Sequence, residues 1–265
     1  MEQHMVWRQM PSRRFLILAV VLGMAVGSAT TLIAQRWLSS KRDLKQAEHQ
    51  QREGPPPTPN TITTDVLIQG EPTLGQADAP ITILEFSDFE CPYCQQFHND
   101  VMAKLKSTYI EKGLVRFVHK DLPLPFHNHA VPAAAAARCA GDQTSYWKVY
   151  SALFKEQTCL SCKGVMEIAG SVIDDTTSLQ ACMNNPRTLA LIEANRSEAS
   201  LLGIQATPTF VIGPTLAEHR HRGTVIEGAL PWPAFKEAVD QALKRTGQPS
   251  TPGNEGDTTT KQSPQ

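Results

Sequence analysis

The feature that most restricts this chain is the tetrapeptide Cys91-Pro92-Tyr93-Cys94, set between two runs of different periodicity. Before it, Ile81-Thr82-Ile83-Leu84-Glu85-Phe86 is short, β-branched and bounded by Pro80 and Ser87-Asp88, which reads as a strand. After it, Phe97, Val101, Leu105 and Ile110 recur near helical spacing, and Pro92 suits a first-turn position, where no backbone N–H is needed. A second strand is expected over 114–119. Strand, helix and strand at this spacing imply parallel strands joined by a crossover helix. The first cysteine then lies at a helix N-terminus, where free N–H groups and the macrodipole favour negative charge. Cys91 is therefore expected to be the nucleophile of disulfide exchange, and Cys94, one turn in, the resolving partner. Glu90 acts in the opposite sense, since a carboxylate beside a thiolate disfavours it.

There are six cysteines, and a second C-x-x-C, Cys159-Leu160-Ser161-Cys162, makes a four-cysteine zinc site formally open. The wide separation of the two pairs, and a proline inside a strand-to-helix pair, favour redox chemistry over metal. Cys139 and Cys182 complete the set. The four cysteines outside the first pair allow three connectivities. We rank 139–182 with 159–162 first, ahead of crossed pairings and of free thiols, and keep a second catalytic pair at Cys159/Cys162 as a rival reading. His119, His127 and His129 cluster in sequence and are read as solvated or helix-capping rather than metal ligands. Trp147, Tyr150 and Phe154 share a helical face and are read as core.

The ends of the 265-residue chain differ from its middle. Residues 1–14 are basic at Arg8, Arg13 and Arg14, and 15–34 carry no charge. A helix of that length spans about 30 Å, enough to cross a bilayer, so the segment is either an uncleaved anchor or a cleaved signal peptide. Residues 35–62 are polar and then Pro-rich, a semi-extended linker. Residues 247–265 offer almost nothing to bury and read as a disordered tail. With 25 basic against 26 acidic residues the net charge is −1, which argues against nucleic acid as a partner. One domain is left over 63–246. Within it helices are expected at 130–140, 145–154, 165–172, 177–183 and 187–202, strands at 209–212 and 224–227, and a final helix at 233–244.

With these elements in order, the chain resembles the DsbA-type thiol–disulfide oxidoreductases of the thioredoxin-like superfamily. The matching stretches are Leu74 to Thr82 before the central strand, Phe86-Ser87-Asp88-Phe89-Glu90-Cys91-Pro92-Tyr93-Cys94, Leu122-Pro123-Leu124-Pro125-Phe126-His127 with Tyr146-Trp147, and Gly203-Ile204-Gln205-Ala206-Thr207-Pro208-Thr209-Phe210. The resemblance implies an α/β thioredoxin-like fold with a helical insertion, about 122–202, between a strand–helix–strand half and a C-terminal strand–strand–helix half. It also implies that Thr207-Pro208 is a cis peptide facing Cys91, its backbone open to an extended substrate chain. Two departures stand out. The dipeptide is Pro-Tyr rather than the Pro-His of strongly oxidising members, and Cys159/Cys162 match no known feature of the family.

The implied function is an exported oxidase that exchanges disulfides with protein substrates through Cys91/Cys94, with Glu90, Pro92 and Tyr93 in its active-site loop. No cofactor is expected beyond the redox-active disulfide, and no metal. Its partners would be reduced or misoxidised exported proteins and a quinone-linked membrane protein, DsbB-like or vitamin-K-epoxide-reductase-like, or instead a reducing partner. The domain is expected on the extracytoplasmic side, anchored through 15–34 or released there. A reductase or isomerase is the first rival, and a non-catalytic tethered thiol- or zinc-binding domain the second.

Overall fold

The computed structural model describes residues 61–247, apart from 142 and 218. All described residues belong to one compact unit of the chain. The basic N-terminus, the 15–34 segment, most of the 35–62 linker and nearly all of the tail lie outside the described residues. Among the described residues no helix is long and apolar enough to cross a membrane.

At the centre is strand β3, Ile81–Ser87, buried along its whole length. A strand covered on both faces reads as a continuous apolar run rather than an alternating one. Five other strands complete a mixed sheet: β1 Thr61–Leu67, β2 Thr73–Leu74, β4 Val115–Asp121, β5 Thr209–Pro214 and β6 Arg220–Glu227, in the order β1-β6-β5-β3-β4-β2. Only β3 and β4 run parallel, register Ile83 to Phe117. They are joined by helix α1 over 92–110, which passes through π-helical turns at His98–Met102 and Lys106–Ile110.

Side chains alternate along β3. Ile81 and Ile83 face a core shared with Phe97 and Leu105 of α1, Phe117 of β4 and Phe210 of β5. Leu84 and Phe86 face a smaller core with Val66, Val118 and Ile204. The closing helix α7, Trp232–Arg245, buries Phe235, Val239, Ala242 and Leu243 on the first core, at the i, i+4, i+7, i+8 spacing of an amphipathic helix.

Between β4 and β5 lie helices α2 Ala130–Arg138, α3 Gln143–Lys155, α4 Val165–Gly170, α5 Thr176–Met183 and α6 Pro186–Leu201, with a 3-10 turn at Gln157–Cys159. α2 buries Ala133 through Ala137, and its small side chains admit the neighbouring helices closely. A Cys139–Cys182 disulfide, Cα–Cα 5.7 Å, joins the end of α2 to α5, and a second disulfide joins Cys159 to Cys162. A buried ionic cluster fixes this insert to the sheet. Arg138 pairs with Asp121 of β4 and, at 2.7 Å, with Glu71, while Lys120 pairs with Glu71 and with Glu198 of α6.

The fold is thus the thioredoxin-like α/β arrangement with a helical insert. Several boundaries move. The linker ends before 62, because β1 begins at Thr61 and pairs with β6. Asp65 interrupts the apolar pattern of β1 and is accommodated by ion pairs with Arg220 and Arg222 across the two strands. For the same reason β6 starts at Arg220 rather than 224. Cβ atoms at Gly213 or Gly223 would run into the facing backbone, so these strands meet where only glycine fits. β4 extends to Asp121, its last charges absorbed by the ionic cluster.

Candidate active site

β3 ends at Ser87, and the next four residues carry the chain to the start of α1. Cys91 is the N-cap, with φ −76° and ψ 122°, and Pro92 occupies the first turn. Two carboxylates hold this loop. Asp88 accepts from Glu90 N at 2.7 Å, from Leu124 N at 2.7 Å and pairs with His127 Nδ1 at 2.8 Å. Glu90 accepts from His129 N at 2.7 Å and pairs with the same residue's Nδ1 at 3.0 Å. The loop is thereby tied to the segment that follows β4. Phe89 between them packs against the rings of His119, Tyr150 and Phe154.

Cys91 and Cys94 are both free thiols and both buried. The Cys91 Sγ–H donates to the carbonyl of Thr207 at 3.3 Å, and the Thr207-Pro208 peptide is cis. Thr207 lies just before β5, which pairs with β3, so the sheet brings the two loops together across a long sequence separation. Tyr93 is exposed on the first turn.

The two thiols are electrostatically unlike. The Cys91 thiol is lowered to about 6, because a hydrogen bond from the Cys94 side chain and the N–H groups of Cys94 and Tyr93 outweigh burial. Burial, the neighbouring Cys91 and the charge of Glu85 hold the Cys94 thiol well above its ordinary range. Near neutral pH the pair therefore carries one thiolate, on the sulfur at the helix start. Cys94 also receives Asp88 N at 3.5 Å.

Beneath the pair lies Glu85. It shares the β3 face of Ile81 and Ile83, is fully buried, and accepts the Tyr150 hydroxyl at 3.1 Å. Burial raises its carboxyl to about 8, so it is predominantly neutral at pH 7. His119 of β4 is buried beside it, is hydrogen-bonded through Nδ1 to the Tyr146 hydroxyl at 2.8 Å, and is pushed down to about 3 by burial and by Arg138. It is a neutral core residue, not a solvated one. His127 and His129 pair with carboxylates, and the latter is the N-cap of α2 without a side-chain cap. Trp147 is half-buried and donates to Thr73 O at 3.1 Å, whereas Tyr150 and Phe154 are core.

The structure therefore gathers Cys91, Pro92, Cys94, Thr207 and Pro208 at one end of the sheet. Glu90 sits in the loop, but its carboxylate is turned to His129, and against the raising effect of burial those contacts lower it. Cys139, Cys182, Cys159 and Cys162 lie in the insert as two disulfides. The last pair is bonded to itself and is not arranged with Cys91 and Cys94 as metal ligands. Among the described residues no group of His, Cys, Asp and Glu is placed to hold a metal. Sequence reasoning missed Glu85, and also Gln157, whose buried Nε2 donates to the loop carbonyls of Phe89 and Cys91. For Glu85 the signal was present: a carboxylate in phase with Ile81 and Ile83 on a strand face.

A family model described as thioredoxin matches residues 68–241. Disulfide bond formation protein D of Bacillus subtilis is 28% identical over 194 residues, covering 70% of this chain and 82% of that protein. The crystal structure of oxidised BdbD from Bacillus subtilis superposes with a TM-score of 0.59 at 26% identity, over 70% of this chain and 99% of that one. A third relative, the Na(+)/H(+) antiporter NhaA 3 of Salinispora tropica, is 31% identical over 164 residues. That match covers 60% of this chain, which spans about a quarter, 24%, of the antiporter.

Proposed function

The chain belongs to the thioredoxin family, as a DsbA-type thiol–disulfide oxidoreductase, and on that premise we propose that it works as an exported oxidase through Cys91 and Cys94. The observation that carries this is the contrast between the two sulfurs. A thiolate stabilised at the start of α1 favours the dithiol form, and a pair whose reduced form is favoured is a stronger oxidant as a disulfide.

A substrate thiolate attacks Cys91 Sγ of the Cys91–Cys94 disulfide. The S–S bond breaks, its electron pair leaves on Cys94 Sγ, and Cys94, whose thiol form is favoured by burial, takes up a proton. A second substrate thiolate then attacks the substrate sulfur of the mixed disulfide, and Cys91 departs as the stabilised thiolate. Two electrons have passed to the enzyme and the substrate carries a disulfide. An extended substrate segment lies beside Thr207, whose carbonyl already faces the reacting sulfur, and pairs with its backbone as an added strand.

Export is supported by the two disulfides of the insert, which persist in oxidising compartments. The uncharged 15–34 segment delivers the domain there, as an anchor or a cleaved leader, and a quinone-linked membrane protein accepts the electrons. The deciding measurement is the reduction potential of Cys91/Cys94 in glutathione buffers. A value near about −120 to −180 mV supports the oxidase, and one near about −270 mV makes the protein a reductase.

A further inference from the structure

Gln157, on the 3-10 turn of the insert, is buried, and its Nε2 donates to two carbonyls of the active-site loop, Phe89 O at 2.8 Å and Cys91 O at 2.9 Å. Both protons of the amide are used. The opposite placement would aim its oxygen at two carbonyl oxygens, so the partners fix the assignment. The Cys91 carbonyl also accepts Gln95 N at 3.1 Å, the first helical hydrogen bond of α1. Gln157 thus grips the N-cap peptide at the atom that begins the helix, and the loop two residues before it. The orientation of that peptide aims the N–H groups of Tyr93 and Cys94 at the Cys91 sulfur.

Gln157 is itself held by a covalent clasp. Two residues on, the Cys159–Cys162 disulfide closes a short turn, Cα–Cα 4.8 Å. Leu160 N donates to Gln157 O at 3.2 Å, and Lys163 N to Cys159 O at 2.9 Å. Cys162 is exposed and Cys159 half-buried, so thiols in solvent reach the clasp while Gln157 stays covered.

We propose that Gln157 is a positioning residue for Cys91 and that the Cys159–Cys162 disulfide, reducible from solvent, sets how firmly Gln157 is held. The inference rests on Cys91/Cys94 being the exchange pair. The reductant is a dithiol, small or protein-borne. One of its thiolates attacks Cys162 Sγ, and the S–S bond breaks with its electron pair on Cys159 Sγ, which is protonated. The second thiolate of the reductant attacks the first, releasing Cys162 and leaving the reductant as a disulfide. The turn then loses its closure, the amide loses its fixed reach, and the Cys91 thiolate is less well supported. The redox state at the surface is read at the working pair without electrons passing between them.

The test is the pH dependence of Cys91 alkylation by iodoacetamide in the full chain, followed by mass spectrometry of the Cys91 peptide. Gln157→Leu should raise the midpoint by roughly one pH unit, a tenfold lower thiolate-to-thiol ratio. Cys159→Ser/Cys162→Ser should raise it less, and the combined variant no more than Gln157→Leu alone. A folded Gln157→Leu with the wild-type midpoint overturns the positioning role, and additive effects overturn the clasp. Should Gln157→Leu fail to fold, Cys159→Ser/Cys162→Ser decides alone: a raised midpoint supports the proposal and an unmoved one overturns it. A wild-type midpoint near 9 is a different result, and it removes the exchange reading itself.

Discussion

Replacing Glu85 by Gln removes a buried carboxyl while keeping an oxygen for the Tyr150 hydroxyl to donate to. In the folded chain this carboxyl ionises at about 8, against 4.5 for an exposed glutamate. At ~1.4 kcal/mol per pH unit, the separation sets a ceiling of about 5 kcal/mol on the cost of holding it in the core as an anion. The folded state keeps its proton between those two values while the unfolded state has lost it. The sign follows: stability falls as pH rises through the window, with almost no penalty below 4.5 and the full penalty above 8. Evaluated at pH 5 the cost is about 1 kcal/mol, and at pH 9 it approaches the ceiling. Urea unfolding of the oxidised protein at pH 5, 7 and 9 isolates this carboxyl, because Cys91 and Cys94 do not titrate when bonded to each other. The remaining groups are shared by wild type and Glu85→Gln and cancel in the difference. The variant should therefore gain on the wild type by about 4 kcal/mol between pH 5 and pH 9. Parallel pH profiles for the two proteins would refute the assignment of a neutral carboxyl beneath the cysteine pair.

The Cys91 thiol should alkylate with a midpoint near pH 6 rather than 9. Its sign is opposite to that of Glu85: a lowered thiol stabilises the reduced protein fully above pH 9, and that gain is lost as pH falls through 6. A comparison of Cys91→Ala with reduced wild type by denaturant titration across pH 6 to 9 checks it. Cys94→Ala should accumulate mixed disulfides on Cys91, seen as reductant-sensitive bands on non-reducing gels. The disulfide comes from the substrate: the Cys91 thiolate opens a substrate S–S bond and no Cys94 thiol is present to release the adduct, so an absence of adducts with disulfide-bonded protein substrates contradicts the resolving role. Cys139→Ala/Cys182→Ala opens a loop with a sequence separation of 43 and should lower the unfolding free energy by about 4 kcal/mol, measured by urea titration. A loss under about 1 kcal/mol would show that the packing of the insert does not depend on this link.

What the sequence disclosed best was whatever depends on neighbours along the chain. The strand at 81–86, the proline at the helix start and the helical spacing of Phe97, Val101 and Leu105 are local, and they place Cys91 at an N-cap without knowledge of the rest. β1 was hidden because its legibility depends on β6: a charge at Asp65 breaks its apolar pattern, and only Arg220 and Arg222 across from it satisfy that charge. His119 was mistaken for a solvated residue because its partner, the Tyr146 hydroxyl, comes from a helix far along the chain. Gln157 carries no periodic or motif signal at all. Its meaning lies in two backbone carbonyls 68 and 66 residues away, which only the packed insert brings within reach. The family resemblance supplied the Thr207-Pro208 loop, which spacing alone would not have found.

Thr207 meets Cys91 across a sequence separation of 116 residues, because the insert interrupts the sheet before β5 can join β3. A chain that emerges end-first at about 5–20 residues per second therefore presents Cys91 roughly 6–23 s before the residue that faces it. During that interval β3, α1 and β4 are all available, so the helix start that activates the sulfur precedes the loop that covers it. Stalled chains ending short of 207 should accordingly carry a Cys91 that alkylates readily, and chains extended through α7 a better shielded one. Cys139, Cys159, Cys162 and Cys182 all emerge within that interval, past a thiolate that Thr207 does not yet cover.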